Sequence, residues 1–237
     1  DRRGLRGQYF KAKHFGGGRI IDRTDEAILF DFGSASPQPG KIDVEEFSIR
    51  WEGSVLALEG GEYEFIVKTP NAARLWVNRL DRPLIDAWVR SGSHTEHRQA
   101  IRLLGGRRYA LRLDFMKSKE KTAAVALEWK PPHRAAEAIP ARYLSPGSVP
   151  EVFVLQTPFP PDDRSVGYER GSSISKAWDQ ATTEAAVEVA AYVVGYLKEL
   201  SGVGDSSHDR DARTREFCRQ FAERALRRPL TQEQERV

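Results

Sequence analysis

A chain of 237 residues has room for one large domain or two ordinary ones. Apolar residues make up 40% and charged residues 30%; with five Trp, eleven Phe and seven Tyr the balance is that of a folded chain, not a disordered one. The net charge of +3 divides into 25 basic against 19 acidic residues over 1–150 and 12 against 15 over the rest, and no basic run interleaved with stacking aromatics offers a nucleic-acid surface.

Residues 1–145 read as short strands. Tyr63, Phe65 and Val67 alternate with Glu62, Glu64 and Lys68, the period of a half-buried strand. The same period recurs at Leu75 and Val77, at Leu111, Leu113 and Phe115, and at Val125, Leu127 and Trp129. Turn chemistry separates them: Gly16-Gly17-Gly18, Pro37-Gln38-Pro39-Gly40, Gly60-Gly61, Gly105-Gly106 and Pro131-Pro132. The fold class predicted is mainly β, an antiparallel β-sandwich, followed by a small, incomplete helical domain.

The pattern changes after residue 145. Residues 146–170 are rich in proline and predict an extended linker. Residues 171–237 predict a helical region. From about Ser175 to Leu200, Trp178, Ala181, Ala185, Val189, Tyr192 and Tyr196 recur at helical spacing, and the apolar surface is wide enough to predict burial by other helices; Ser201-Gly202 end it. A second helix is predicted from about Arg210 to Arg228, with Glu223 placed to pair Arg227. Thr231 and Gln234 then have capping-box spacing. The chain stops after about one turn of that new helix, and one turn alone is unstable. The sequence is therefore expected to be a piece of a longer protein.

Reactive chemistry is scarce. Cys218 is the single cysteine, which excludes an internal disulfide framework and multi-Cys metal sites; it is read as an inert core thiol. His94 and His97, with Glu96 between them, stand in a polar stretch without a third ligand at fitting spacing. Asp162-Asp163 follows two prolines and reads as a turn. No nucleophile–base pair stands out, so no catalytic residue is predicted. No apolar run approaches the roughly 20 residues needed to cross a bilayer, and no membrane span is expected.

Ordered motifs carry a resemblance. They run from Gly4-Leu5-Arg6-Gly7-Gln8-Tyr9-Phe10 through Phe30-Asp31-Phe32-Gly33 and Phe47-Ser48-Ile49-Arg50-Trp51-Glu52-Gly53. Then come Gly61-Glu62-Tyr63-Glu64-Phe65, Arg74-Leu75-Trp76-Val77-Asn78 and Leu84-Ile85-Asp86-Ala87-Trp88. Gly106-Arg107-Arg108-Tyr109, Leu127-Glu128-Trp129 and Ile139-Pro140 close the series. In this order residues 1–145 resemble the protective-antigen (PA-fourteen) domain family, a β-sandwich. The resemblance implies a non-catalytic, extracytoplasmic module, periplasmic or at the cell surface, that often binds carbohydrate. The helical half is similar to regions of large planctomycete proteins that accompany a cytochrome c-type haem domain. That likeness rests on Phe159-Pro160-Pro161-Asp162, Gly167-Tyr168 and the run Arg227-Arg228-Pro229-Leu230-Thr231.

The resemblance also locates a site. Family members that use Ca²⁺ carry two adjacent Asp before the Arg-Leu strand, and the ion takes two sugar hydroxyls. Here those positions are Pro70 and Asn71, and Asn78 stands where Asp is common, so neither calcium nor any other cofactor is expected. Metal-free sugar binding needs an aromatic platform with polar side chains around it. By strand parity Trp76 points outward with Arg74 and Asn78, whereas Trp51, Trp88 and Trp129 are assigned to the core. Asp86 is placed to bond backbone N–H groups beside Trp88. Lys117 and Glu120 fall in a predicted loop at the same end. The predicted ligand-binding set is Asn71, Arg74, Trp76, Asn78, Asp86, Lys117 and Glu120. The predicted partner is a glycan or polysaccharide, together with other domains of the same polypeptide. The alternative is a scaffold that has lost its sugar site, accessory to a haem-containing oxidoreductase-like protein.

Overall fold

A computed structural model describes residues 3–89, 94–160, 175–202 and 208–236. The chain divides into two compact units, residues 1–154 and 155–237.

The first unit is a sandwich of two antiparallel sheets. One sheet is built from β1 (Leu5–Phe10), β2 (Arg19–Asp25), β4 (Glu46–Ala57), β6 (Ala72–Val77), β7 (Ile85–Ala87) and β9 (Arg107–Ser118) in the order β2-β1-β4-β9-β6-β7, with β12 (Leu144–Ser145) added on β4. The other holds β3 (Leu29–Gly33), β5 (Gly61–Lys68), β8 (Glu96–Leu103), β10 (Ala123–Lys130) and β11 (Glu137–Ala138), ordered β11-β10-β5-β8 with β3 also paired to β10. The period-two pattern is the reason these segments pair as they do. Every inward residue predicted from it is buried: Tyr63, Phe65 and Val67; Leu75 and Val77; Leu111, Leu113 and Phe115; Val125, Leu127 and Trp129. Slipping any of these strands by one residue would turn that set to solvent.

Aromatic rings fill the space between the sheets. Phe30 stacks on Trp51 at 5.6 Å, and Trp129 packs among Tyr63, Phe65 and Tyr143. One carboxylate is sealed beside this core. Asp25 accepts from the Tyr9 hydroxyl at 2.5 Å, from Trp51 Nε1 at 2.8 Å and from Arg23 Nε at 2.6 Å. Burial, and then the bond to Asp25, pushes the Tyr9 phenol far above its ordinary value. Gly7 is glycine because a Cβ there would overlap the Asp25 carboxylate. Gly53, at φ 156°, likewise makes room for the Ser145 carbonyl where β12 meets β4.

Residues after β12 belong to this unit as far as Val154, which is buried in the core cluster. Asn78 holds them. Its backbone is left-handed (φ 66°), a region Asn adopts more readily than most residues. Its side-chain amide donates to the Val152 carbonyl and accepts from the Val152 N–H, both at 2.8 Å. One amide thus imitates a neighbouring strand. Asn78→Ala is expected to cost about 2 kcal/mol, through two lost bonds and a strained φ. It should also speed proteolytic cleavage within 146–154. Asn78→Gly keeps the φ and should lose less; urea melts of the two variants check this.

The second unit is helical. It holds α1 (Lys176–Gly195), α2 (Leu197–Ser201) and α3 (Arg210–Leu226). Ser175 caps α1 by accepting from the Trp178 N–H, and Glu188 accepts from Gln156 N–H, Thr157 N–H and the Thr157 hydroxyl. Gly202 ends α2 in the left-handed conformation, as its position predicts. The predicted capping box forms reciprocally: Gln234 N–H donates to Thr231 Oγ1, and Thr231 N–H to Gln234 Oε1. Three expectations are corrected. Within the described residues α1 buries only Ala181 and Ala185, and Val187 and Val194 are 65% and 74% exposed. The next helix stops at Leu226 because Arg227 turns left-handed, so Glu223 pairs with Arg219 one turn earlier. Cys218 is exposed, not a core thiol, because α3 has no buried face among the described residues.

Candidate functional site

The predicted ligand-binding residues separate into three places. Asn71 lies just before β6 and Asn78 just after it, so the two stand at opposite ends of a strand about 20 Å long. Lys117 and Glu120 lie at the Asn71 end; Arg74, Trp76 and Asp86 lie on the outer face between the ends.

At the first end the polar groups are used internally. Asn71 is buried; its amide donates to the Thr122 carbonyl and accepts from the Ala124 N–H. Thr69 Oγ1 donates to the Ala124 carbonyl at 2.7 Å and completes the tie between the two loops. Glu120 accepts from the Ser118 N–H within its own turn. Lys117 is corrected from loop to strand. β9 runs on to Ser118, and the Lys117 ammonium is buried against the Val44 carbonyl. Calcium does not fit here: Pro70 offers no side-chain oxygen and the Asn71 oxygen already holds a backbone N–H. Among the described residues no group of three or more His, Cys, Asp or Glu is placed to hold a metal; Asp162-Asp163 lie outside them. Glu96, between His94 and His97, pairs with Arg98.

The outer face of the seven-stranded sheet gathers a different set. Trp76 does point outward, as parity predicts, yet it is only 8% exposed, and the Arg112 guanidinium lies 4.6 Å from its ring centroid. It is therefore no open platform. Trp88 is the converse correction. The sequence places it in the core, but Ile85 and Ala87 are the inward residues of β7, so Trp88 follows the outward parity of Asp86 and is half-buried on the outer face. Phe15 stacks on it at 6.1 Å, the His14 ring lies at 6.0 Å, and the Arg74 guanidinium lies 5.2 Å from its centroid. Arg74 Nε donates to Asp86 Oδ1 at 2.9 Å, and the Trp88 N–H donates to the same oxygen, as predicted for Asp86. Burial opposes ionisation of Asp86, but these bonds outweigh it and hold the carboxyl below its ordinary value. Among the described residues no bond occupies Asp86 Oδ2 or the terminal nitrogens of Arg74.

Behind this patch stands Asp114, 3% exposed. It takes two bonds from Arg50 (2.8 and 2.9 Å) and two from Arg112 (3.0 and 2.6 Å). Burial disfavours the Arg50 cation; the Asp114 bonds more than offset it, and its pKa is raised. Arg50 in turn lies 4.1 Å from the Phe15 centroid. Sequence reading missed Phe15, Arg50, Arg112 and Asp114. The alternation of β4 and β9 places Arg50, Arg112 and Asp114 outward, but only the cross-strand register pairs them.

The arrangement offers an aromatic edge beside one donor and one acceptor, and among the described residues it holds no nucleophile–base pair. The sequence profile of the PA14 domain matches residues 1–143. The Anti-sigma-I factor RsgI3 of Acetivibrio thermocellus is 33% identical over 147 residues, 62% of this chain and 22% of that protein. A solved anti-sigma factor domain-containing protein is 32% identical with a TM-score of 0.57, covering 63% of this chain and 49% of that one. Another, from Clostridium clariflavum, is 28% identical with a TM-score of 0.55, covering 66% and 51%. The chain thus spans about a fifth of the curated relative and about half of these solved chains. The planctomycete likeness of the helical half finds no support in these matches. Its sharpest mark, Arg227 to Thr231, is accounted for locally: Arg227 is a helix C-cap, Pro229 follows it, and Thr231 opens a capping box.

Proposed function

The chain belongs to the PA14 domain family, and from that premise we propose that its β-sandwich is a non-catalytic glycan-recognition module acting without calcium. The observation that carries this reading is the half-buried Trp88 ring set beside the Arg74–Asp86 pair. A pyranose lays its C–H face on such a ring while a guanidinium and a carboxylate grip neighbouring hydroxyls. Because Asp86 titrates below its ordinary value, its carboxylate stays ionised into mild acid. The module serves a larger extracytoplasmic protein, and other domains of that protein are its remaining partners. The relatives are named anti-sigma factors, and the sandwich matches only a minor share of the curated one, which supports a module within a larger regulatory chain.

The test is a polysaccharide pull-down and glycan array with the full chain, with and without EDTA. Binding is expected to survive EDTA. Trp88→Ala is expected to weaken it by roughly tenfold or more, the usual scale for an aromatic anchor. Sugar binding that EDTA abolishes, or that Trp88→Ala leaves intact, overturns the proposal. A second reading, a scaffold without a sugar site, is favoured by the buried Trp76 and by the spent amides of Asn71 and Asn78. It requires that no saccharide bind at all.

A further inference from the structure

The turn before β2 is unusual. His14 and Phe15 are consecutive non-glycine residues with positive φ, 56° and 60°. Such conformations are costly and persist only where surrounding contacts hold them. Here they are held. Ser48 Oγ accepts from the Phe15 N–H at 2.8 Å and donates to the Ala12 carbonyl at 2.7 Å. Lys13 pairs with Glu46 at 3.1 Å, and Phe10 meets Phe15 edge-on at 5.6 Å. The strained turn delivers Phe15 against Trp88 and leaves His14 exposed beside the same ring. No bond among the described residues uses the His14 imidazole, and a neutral imidazole both donates and accepts.

Among the described residues the charges at the patch are balanced. Three cations among these residues border the aromatic rings at Trp88 and Phe15: Lys13 on the turn, Arg50 over Phe15 and Arg74 over Trp88. Each has a carboxylate partner on the same face, Glu46, Asp114 and Asp86 in turn; Asp114 is shared with Arg112, and Glu52 lies 4.0 Å from both arginines. An anionic sugar would meet as many acceptors as donors there, whereas a sugar hydroxyl can use both.

We propose that this patch takes uncharged pyranosides and that His14 is its specificity-determining residue, reading one ring hydroxyl while Phe15 keeps the Trp88 ring in place. The inference rests on the glycan reading above and adds to it the sugar class and the residue that discriminates. His14→Gly is the informative variant, because glycine takes φ 56° without strain and the turn is kept. Titration calorimetry of the full chain would compare gluco-, galacto- and manno-oligosaccharides with a uronic-acid oligosaccharide. The wild-type protein is expected to prefer one neutral epimer and to bind the uronate more weakly. In His14→Gly the preferred epimer should lose about fivefold, the value of one partly exposed hydrogen bond, and the others should change little, so that discrimination shrinks. An unchanged ratio between epimers in His14→Gly, or a wild-type preference for the uronate, overturns this inference while leaving Trp88-dependent binding to stand. If the wild-type chain binds none of the four sugars, the glycan reading falls and this inference with it.

Discussion

Asp25→Ala is expected to destabilise the sandwich by about 3–5 kcal/mol, the scale for removing one partner from a buried charged hydrogen-bond cluster. The substitution strands the Tyr9 hydroxyl and the Trp51 indole N–H, both on fully buried residues, without an acceptor. Arg23 adds little to the loss, since its side chain is 48% exposed and water can take over its charge. Tyr9→Phe removes one donor and leaves Asp25 its other two, so it should cost only about 1–2 kcal/mol. Urea denaturation of the three proteins checks the order. Equal losses for both variants would show that the Tyr9 bond alone accounts for the carboxylate's contribution and that its bond from Trp51 adds nothing. Because Asp25 joins β2 to the core tryptophan of β4, early exchange of β1 and β2 amides is expected in Asp25→Ala.

Asp114→Ala should cost about 2–4 kcal/mol and should also weaken sugar binding. It leaves two arginines, each about a quarter exposed, facing one another without their shared carboxylate. Partial hydration of both is why the expected loss is smaller than at Asp25. The effect on binding follows from contact: Arg50 loses its anchor, and Phe15, over which it lies, loses its support against Trp88. An apolar replacement of the trio, Arg50→Met with Asp114→Leu and Arg112→Met, is expected to recover much of the stability. It should not recover the binding. Full recovery of both in that triple variant would show that the charges do not position the aromatic patch.

Strand parity was legible in the residues because burial on one sheet face imposes a period of two. It located the inner faces of β5, β6, β9 and β10 and, through Trp51 and Trp129, much of the aromatic core. Local grammar was legible as well: the Asp86 bond to the Trp88 N–H, the left-handed Gly202 and the Thr231–Gln234 capping box each depend on neighbours within a few positions. Strand pattern and turn residues are thus enough to specify the sandwich and its local turns. Only the tertiary structure decided what each outward residue meets. Arg112 covers Trp76 because β9 lies beside β6 in a register that short-range pattern does not encode. Trp88 lies outside the core because it follows the outward parity of Asp86, and the Phe15 that stacks on it comes from more than 70 residues away in the chain. Asn71 and Asn78 were near in sequence yet separated by the length of β6, so no single loop could unite them. Burial periodicity is a property of one strand. An outer-face patch assembled from distant segments is a property of how strands are ordered, and that order is chosen by contacts between residues far apart along the chain.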